Sequence, residues 1–277
     1  MPSLAKSKTN ASEQAKEAKA KVMERKKDST YWLHLRQKKI EPNFWVSDEY
    51  IERKGLVWTR LGHLSGYTDD DGGWFFPPLF EEENVLIHTG AKWWSSFLDA
   101  SEGEALDRQY IYRHEEFLCD LSGQRWANFR KNTNTFLRAH SDLQYVPMSV
   151  LGSTLDEKIE TLLMAWADRK DSIYDPDILV DYVLNGNHRW ILLDGDDNLI
   201  GMNVADYNWR FTNFRFCIDN GEPCAQAFLR LCFYRNAQWF KDHPPLVNDG
   251  GDLGQRGLET YKKRLNPARV ATIYTNR

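Results

Sequence analysis

The order of its hydrophobic periods after residue 124 constrains the fold of this chain most. Trp126, Phe129 and Phe136 share one face of a helix over 124–138, at about 100° per residue. In chain order the pattern then predicts helices at 155–167 and from 176, strands at 189–193, 199–205 and 209–218, a buried helix at 224–240, a strand at 246–248, a helix at 254–265 and a strand at 269–274. This alternation of helices and strands predicts a mixed α/β layer domain.

The first half of the chain gives weaker signals. The pattern predicts a strand at 56–62, a turn at 69–73, at most an edge strand at 74–80, a short helix at 93–98 and a short strand at 109–112. The turn contains three consecutive aspartates, but it lacks the spaced ligands of a calcium loop. We therefore expect these acidic residues to be solvated.

Several classes of protein are not supported by the sequence. No stretch approaches the roughly 18 uncharged apolar residues of a membrane-spanning helix, and no secretory signal is readable at residues 1–30. The four cysteines form no CxxC pair, which predicts reduced thiols and a cytoplasmic protein. The seven histidines never fall four apart on a helix, and GxSxG is absent, so neither a metal site nor a serine nucleophile is expected.

Charge is distributed unevenly along the chain. Residues 1–39 contain eleven Lys or Arg and four Asp or Glu, although the whole chain has a formal net charge of −4. Residues 1–30 form a helix-prone basic tail without an apolar stripe. Such a tail is typical of a solvated terminus, of a partner-binding helix, or of a basic arm that holds a nucleic acid and loses it at high salt.

A glycine-rich loop followed by a helix is the sharpest local motif. The loop runs from Asn248 to Leu258, and glycines before a helix present free N–H groups to an anion, a carboxylate or a developing oxyanion. A plain turn also fits this pattern. Lys262 lies one turn after Leu258 on the buried side of the helix, where a lysine either extends to solvent or points its ammonium into a pocket. Arg235, on an apolar helical stripe, is either a buried paired charge or a site residue.

Two blocks of residues resemble one known family. The first block comprises Val247-Asn248, Asp252-Leu253-Gly254, Gly257-Leu258, Lys262 and Asn266-Pro267; the second comprises Tyr110-Ile111-Tyr112, Glu116-Phe117-Leu118, Leu121-Ser122-Gly123 and Arg130 to Phe136. Together they resemble the phosphatidylglycerol lysyltransferase C-terminal-domain-like family of GNAT-fold acyltransferases. The resemblance covers roughly residues 56–277.

The resemblance implies an α/β (α+β) fold of tandem GNAT-like lobes, with mixed central sheets flanked by helices. Its expected ranges are a basic tail at 1–30, an N-terminal lobe at 31–150 and a C-terminal lobe at 151–277. It also implies an enzyme that transfers an acyl or aminoacyl group to an amine or hydroxyl. By position, Lys262 matches the lysine that stabilises the tetrahedral intermediate.

The resemblance extends to further site residues. Asn248 and Asp252 match positions that orient the acceptor or relay its proton. The expected donor-binding or anion-binding residues are Gly251, Gly254, Arg256 and Gly257 in the loop, with Arg125, Arg130 and Asn132 on the other lobe. Each polar residue also has a structural reading, as a turn, a helix cap or a surface salt bridge.

The acyl donor is expected to be bound transiently, without a permanent cofactor. Acyl-CoA enzymes of the GNAT fold cradle pyrophosphate after the central strand, but Ile218 to Pro223 contains one glycine, two carboxylates and no basic residue. Aminoacyl-tRNA is therefore favoured over acyl-CoA, and the basic residues 1–39 would accommodate such a partner. Two alternatives stay open: a soluble N-acyltransferase acting on a nucleic-acid base or a protein amine, and a catalytically degenerate GNAT-like binding module.

Overall fold

The computed structural model describes residues 29–38, 42–83, 85–87, 91–92, 94–95, 104–151, 155–170 and 176–275. Contacts divide the chain into two compact units, which comprise residues 1–41 with 56–93, and 42–55 with 94–275. Residues 1–28 of the predicted basic tail lie outside the described residues. Within the described part, no helix is both long and apolar enough to span a membrane.

The first unit contains a helix and a small antiparallel sheet. Helix α1 is Ser29–Gln37, and the strands are β1 (Val57–Leu61), β2 (Leu64–Thr68), β3 (Leu79–Phe80) and β4 (Val85–Leu86), hydrogen-bonded in chain order. The pairing of Leu61 with Leu64 closes a tight hairpin, which Gly62 permits with its positive φ of 61°. The predicted strand at 56–62 and the predicted turn at 69–73 are confirmed.

The described residues of the second unit form an eight-stranded sheet. Its strands are β5 (Trp94–Ser95), β6 (Glu104–Arg113), β7 (Gln144–Pro147), β8 (His188–Leu193), β9 (Leu199–Tyr207), β10 (Thr212–Asp219), β11 (Leu246–Asn248) and β12 (Arg269–Thr275), in the order β5-β12-β6-β11-β10-β9-β8-β7. All neighbouring pairs are antiparallel except β10 and β11.

Helices flank this sheet. They are α2 (Asp48–Arg53), α3 (Ala127–Ala139), α4 (Asp156–Arg169), α5 (Pro176–Asn185), α6 (Ala225–Tyr234), α7 (Ala237–Asp242) and α8 (Arg256–Arg264), with short 3₁₀ turns at His114–Phe117, Gln124–Trp126 and Met148–Val150. Helices α3 and α6 pack together through Phe136 and Phe228, whose stacked rings lie 5.1 Å apart. The predicted mixed α/β class, with sheets flanked by helices, is confirmed.

Two predicted elements are wrong. The predicted helix at 93–98 is a strand at its described positions, because residues 94–95 pair with Ile273 and Tyr274 at the sheet edge. The single helix predicted at 224–240 is divided into α6 and α7. Asn236 begins the second helix, because its side-chain oxygen accepts a hydrogen bond from Trp239 N at 3.1 Å.

The predicted lobe boundary at 150 falls inside the second unit. Strand β6 precedes this boundary in the chain, yet it lies between β12 and β11 in the sheet. The predicted range 31–150 is itself divided between the two units. The two lobes therefore stay a prediction, whereas the shared sheet is observed.

The sheet opens between β10 and β11. These parallel strands pair only at Thr212 with Val247 and at Asn213 with Asn248. Beyond this point β10 continues to Asp219, with an irregularity in its pairing to β9 between Phe214 and Phe216. The chain after Asn248 instead enters the glycine-rich loop. The two strands thus diverge at the position where the site is found.

Candidate functional site

A cavity of about 560 Å³ lies where β10 and β11 diverge. Its lining includes six aromatic residues, Phe44, Trp45, Trp166, Phe214, Phe216 and Tyr261. Five basic residues also line it, Arg169, Lys170, Arg215, Arg230 and Lys262, together with the acidic residues Asp107 and Asp249. A cavity of this size and mixed lining suits a ligand that has both a planar apolar part and a polar part.

Lys262 is buried against the glycine-rich loop. Its side chain is 4% exposed, and its ammonium donates hydrogen bonds to the backbone oxygens of Asp249 and Gly251, the latter at 2.7 Å. Burial lowers the pKa of Lys262 to about 8, against the opposing effect of the Asp249 carboxylate, whose Oδ1 lies 3.7 Å away. An ammonium has three N–H donors, and these two backbone oxygens use two of them.

Asp249 compensates the buried cations. Its Oδ2 pairs with Nη1 of Arg230 and accepts a hydrogen bond from the Tyr234 hydroxyl at 3.1 Å. The carboxylate is thus shared by Arg230 and Lys262. Burial opposes the charge of Arg230, but Asp249 raises the pKa of this guanidinium well above its ordinary value. The cluster therefore holds two cations around one anion when Lys262 is protonated.

Asp107 supplies a second carboxylate at the cavity. Its Oδ1 accepts the backbone N–H groups of Arg108 at 2.7 Å, Asp252 at 3.2 Å and Leu253 at 3.3 Å. Burial raises the pKa of Asp107, and the nearby Asp252 carboxylate adds to this rise. The carboxyl is therefore fixed by the loop backbone and is more basic than an exposed aspartate.

We expect Gly251→Ala to lower the free energy of unfolding by about 1–3 kcal/mol, the usual cost of overpacking. A Cβ at this position would lie 1.6 Å from Asp107 Oδ2, so either the loop or the carboxylate would have to move. Gly257→Ala is the matched control, since nothing lies within 4 Å of its Cβ. Because Gly257 lies within α8, where alanine is favoured over glycine, Gly257→Ala should raise the free energy of unfolding by about 0.5–1 kcal/mol. Urea unfolding measures both, and equal changes would contradict the close packing of Asp107 against Gly251.

A network of buried polar and aromatic residues surrounds Arg215 of β10. Its Nε donates to Asp206 Oδ2 at 2.8 Å and its Nη2 donates to Ser47 Oγ at 3.0 Å. The guanidinium carbon lies 4.3 Å from the ring centroid of Phe44 and 5.1 Å from that of Tyr50. Arg215 thus ties the segment around Ser47 to β10, and aromatic faces stabilise its charge.

The two predicted polar partners of Lys262 lie outside the cavity lining. Asn248 is fully buried, donates to Gln109 Oε1 at 2.5 Å and accepts the N–H of Gly250 at 3.1 Å. Asp252 is 1% exposed and accepts the Tyr110 hydroxyl at 2.5 Å. Both residues therefore hold the loop that carries the carbonyl partners of Lys262.

Four of the seven predicted donor-binding or anion-binding residues line one of two cavities. Gly251 and Gly257 line the cavity with Lys262, whereas the lining does not include Gly254 or the exposed Arg256. Arg125 and Asn132 line a separate, smaller cleft.

Arg130 and Arg235 both bind backbone oxygens. Arg130 donates to the oxygen of Leu121, and Arg235 donates to those of Phe117 at 2.7 Å and Cys119 at 2.6 Å.

Among the residues that the structure describes, no group of three or more potential ligands could hold a metal ion.

Four residues of the cavity lining were not predicted from the sequence as site residues: Asp107, Arg215, Arg230 and Asp249. One available signal was a charge inside an otherwise apolar element. Arg215 lies within the strand sequence Phe-Arg-Phe-Cys, and Arg230 lies within the helix Ala-Gln-Ala-Phe-Leu-Arg-Leu-Cys-Phe-Tyr. A buried charge needs a partner or a ligand, so each arginine indicates a site. No feature of the local sequence distinguishes Asp107 from other aspartates in strands.

Comparisons with known proteins give structural matches only: no family model and no curated protein matches this sequence. The C-terminal domain (DUF2156) of an assigned lysylphosphatidylglycerol synthetase from Agrobacterium fabrum is 12% identical, with a TM-score of 0.54 over 86% of this chain and 88% of that chain. L-PGS from Bacillus licheniformis is 14% identical, with a TM-score of 0.50 over 80% of this chain and 81% of that one.

A conserved protein of unknown function from Bacteroides thetaiotaomicron is also similar, at 16% identity and a TM-score of 0.50 over 67% of this chain. This chain spans 63% of the length of that protein. At these identities the likeness concerns the fold, and at that level the resemblance noted in the sequence is confirmed. The chain has the fold of the C-terminal domain of lysylphosphatidylglycerol synthetases.

Proposed function

We propose that this chain transfers an acyl or aminoacyl group to an amine or hydroxyl acceptor in the cavity between β10 and β11. One observation supports this proposal above the others. The buried ammonium of Lys262 lines the cavity and is fixed by two backbone carbonyls. A buried, positioned cation is suited to stabilise an oxyanion.

In the proposed reaction, the acceptor nitrogen or oxygen attacks the carbonyl carbon of the donor ester. The new bond converts the carbonyl oxygen into an oxyanion, which accepts a hydrogen bond from Lys262. Asp107, which lines the same cavity and has a raised pKa, takes the proton of the attacking group. Collapse of the intermediate breaks the ester bond, and the leaving oxygen takes the proton from Asp107, which restores the carboxylate.

The turn after β10 supports a donor other than acyl-CoA. Its backbone N–H groups are already occupied: Gly221 N donates to Asp219 Oδ1 at 2.8 Å, and Glu222 N donates to Asn220 Oδ1 at 3.0 Å. Ala225 N, at the start of α6, donates to Glu222 O at 3.2 Å. A diphosphate needs free N–H groups and no carboxylates at such a turn.

The lining of the main cavity favours a nucleoside-bearing donor. Aromatic side chains such as Trp45 and Phe216 line the cavity, as in sites where a base stacks, and Lys170 and Arg169 supply positive charge at the same cavity. This combination, together with the structural likeness to lysylphosphatidylglycerol synthetases, supports aminoacyl-tRNA as the donor class.

Native mass spectrometry of the purified chain with bulk tRNA, short DNA and acetyl-CoA in turn tests the donor. We expect a stoichiometric complex with tRNA and none with acetyl-CoA. A complex with acetyl-CoA would overturn the donor argument and favour a CoA-dependent N-acyltransferase. Binding of none of the three would contradict the transferase proposal and favour a binding module that lacks catalysis.

A further inference from the structure

A second, basic cleft of about 220 Å³ lies between α3 and α8. Its wall carries Arg125, Asn128, Lys131, Asn132 and Arg264, and its lining also includes the apolar Phe129 and Leu265 with Tyr261. Three basic side chains and two carboxamides therefore surround one small volume, and none of the described lining residues is acidic. We call this volume the basic cleft.

The charge of the basic cleft is poorly compensated. Arg125 forms a long ion pair with Glu116, which is outside the lining: Nη2 lies 3.7 Å from Oε2. The guanidinium carbon of Arg125 also lies 5.0 Å from the ring centroid of Trp126. Lys131 and Arg264 are exposed, and neither forms an ion pair with a described residue. The cleft thus carries at least two free positive charges, which attract an anion.

One side chain connects the basic cleft with the main cavity. Tyr261 lines both, and its buried hydroxyl has no hydrogen-bond partner among the described residues. On the same helix, Lys262 lines the main cavity and Arg264 lines the basic cleft. A ligand that occupies both volumes would therefore pass along α8, with one aromatic ring between its two parts.

We propose that the basic cleft binds a backbone phosphate of the nucleic-acid donor, close to the end that enters the main cavity. This inference rests on the proposed transfer from aminoacyl-tRNA. A phosphate group suits the donor set, because the planar guanidinium of an arginine binds two phosphate oxygens at once, while lysine ammonium and asparagine amides donate to the others. The cleft then contributes affinity without reading sequence, since phosphates are the same along every strand.

The test is the binding of fluorescently labelled deacylated bulk tRNA, measured by anisotropy over a range of salt concentrations. The double variant Lys131→Glu with Arg264→Glu should weaken binding at least about tenfold and should make the salt dependence shallower by about one phosphate contact. The double variant Arg138→Glu with Lys241→Glu is the matched control, because it makes the same charge change at an exposed arginine of α3 and an exposed lysine of α7, both outside the linings of the two cavities. Equal affinity of wild type and double variant for tRNA would overturn the proposal.

Inorganic phosphate, titrated against the same variants by calorimetry, separates this inference from the proposed function. If wild type binds tRNA and the double variant does not, both proposals are supported. If wild type binds phosphate at the cleft but no tRNA, the phosphate site stands, whereas the nucleic-acid donor is overturned. If wild type binds neither, the proposed cleft ligand is overturned as well. Unchanged thermal unfolding of the double variant shows that the exposed substitutions leave the fold intact.

Discussion

Lys262→Ala is expected to lower the rate constant of group transfer by about 10²- to 10³-fold, the usual cost of removing one oxyanion donor. The buried ammonium lines the cavity and is oriented by the carbonyl oxygens of Asp249 and Gly251. The acceptor and donor are bound by other groups, so KM should change little. Single-turnover kinetics on the substrates that the binding experiments identify measures the step directly.

The dependence of this rate on pH separates two roles of Lys262. Its pKa is lowered to about 8, so the ammonium predominates below that pH and is lost as the pH rises through it. A rate that falls above pH 8 supports oxyanion stabilisation, whereas a rate that rises through pH 8 would assign Lys262 as a base. Lys262→Met controls for lost packing and should be as slow as the alanine variant. Lys263→Ala should keep the wild-type rate, because this exposed neighbour pairs with Glu259.

The glycine-rich loop shows which part of the site local sequence can predict. Glycines before a helix, with a lysine on its buried side, indicated a place where a backbone and an ammonium approach one ligand. The structure has Gly251 and Lys262 at the same cavity. Most helices and strands of the second unit were equally predictable, because each has an apolar face whose period is visible in the sequence.

Other site residues depend on contacts that no local pattern contains. Asp107 meets Gly251 across 144 positions of the chain, and Ser47 meets Asp206 across 159. The pairing of β6 with β11 brings Asp107 to the loop that contains Gly251. Ser47 lies at the start of α2 and reaches Asp206 of β9 through a side-chain hydrogen bond. The same long-range pairing converts residues 94–95 into a strand although their neighbours predict a helix. Periodicity gives the elements, but their order in the sheet decides which side chains meet.

Asn248 and Asp252 illustrate a different limit. Both are polar residues beside a predicted site, and the family resemblance implied that they orient the acceptor or relay its proton. Their burial instead requires hydrogen bonds, which Gln109 and Tyr110 supply. In this structure their contacts position the loop, so their roles in transfer stay predictions. A polar residue near a site is thus either a ligand contact or a support of the loop, and only its partners distinguish the two.

Asp249→Asn is expected to lower the free energy of unfolding by about 3–5 kcal/mol, the cost of leaving a buried charge without its partner. The substitution keeps the volume of the side chain but removes the anion shared by Arg230 and Lys262, which are 7% and 4% exposed. It should also lower the pKa of Lys262 further, because Asp249 now opposes the effect of burial. Urea unfolding at pH 7 measures the loss. Asp196→Asn, in an exposed turn, is the matched control and should change stability by less than about 0.5 kcal/mol. A loss no larger than that of the control would mean that the two cations do not depend on Asp249, and that a ligand or solvent compensates them.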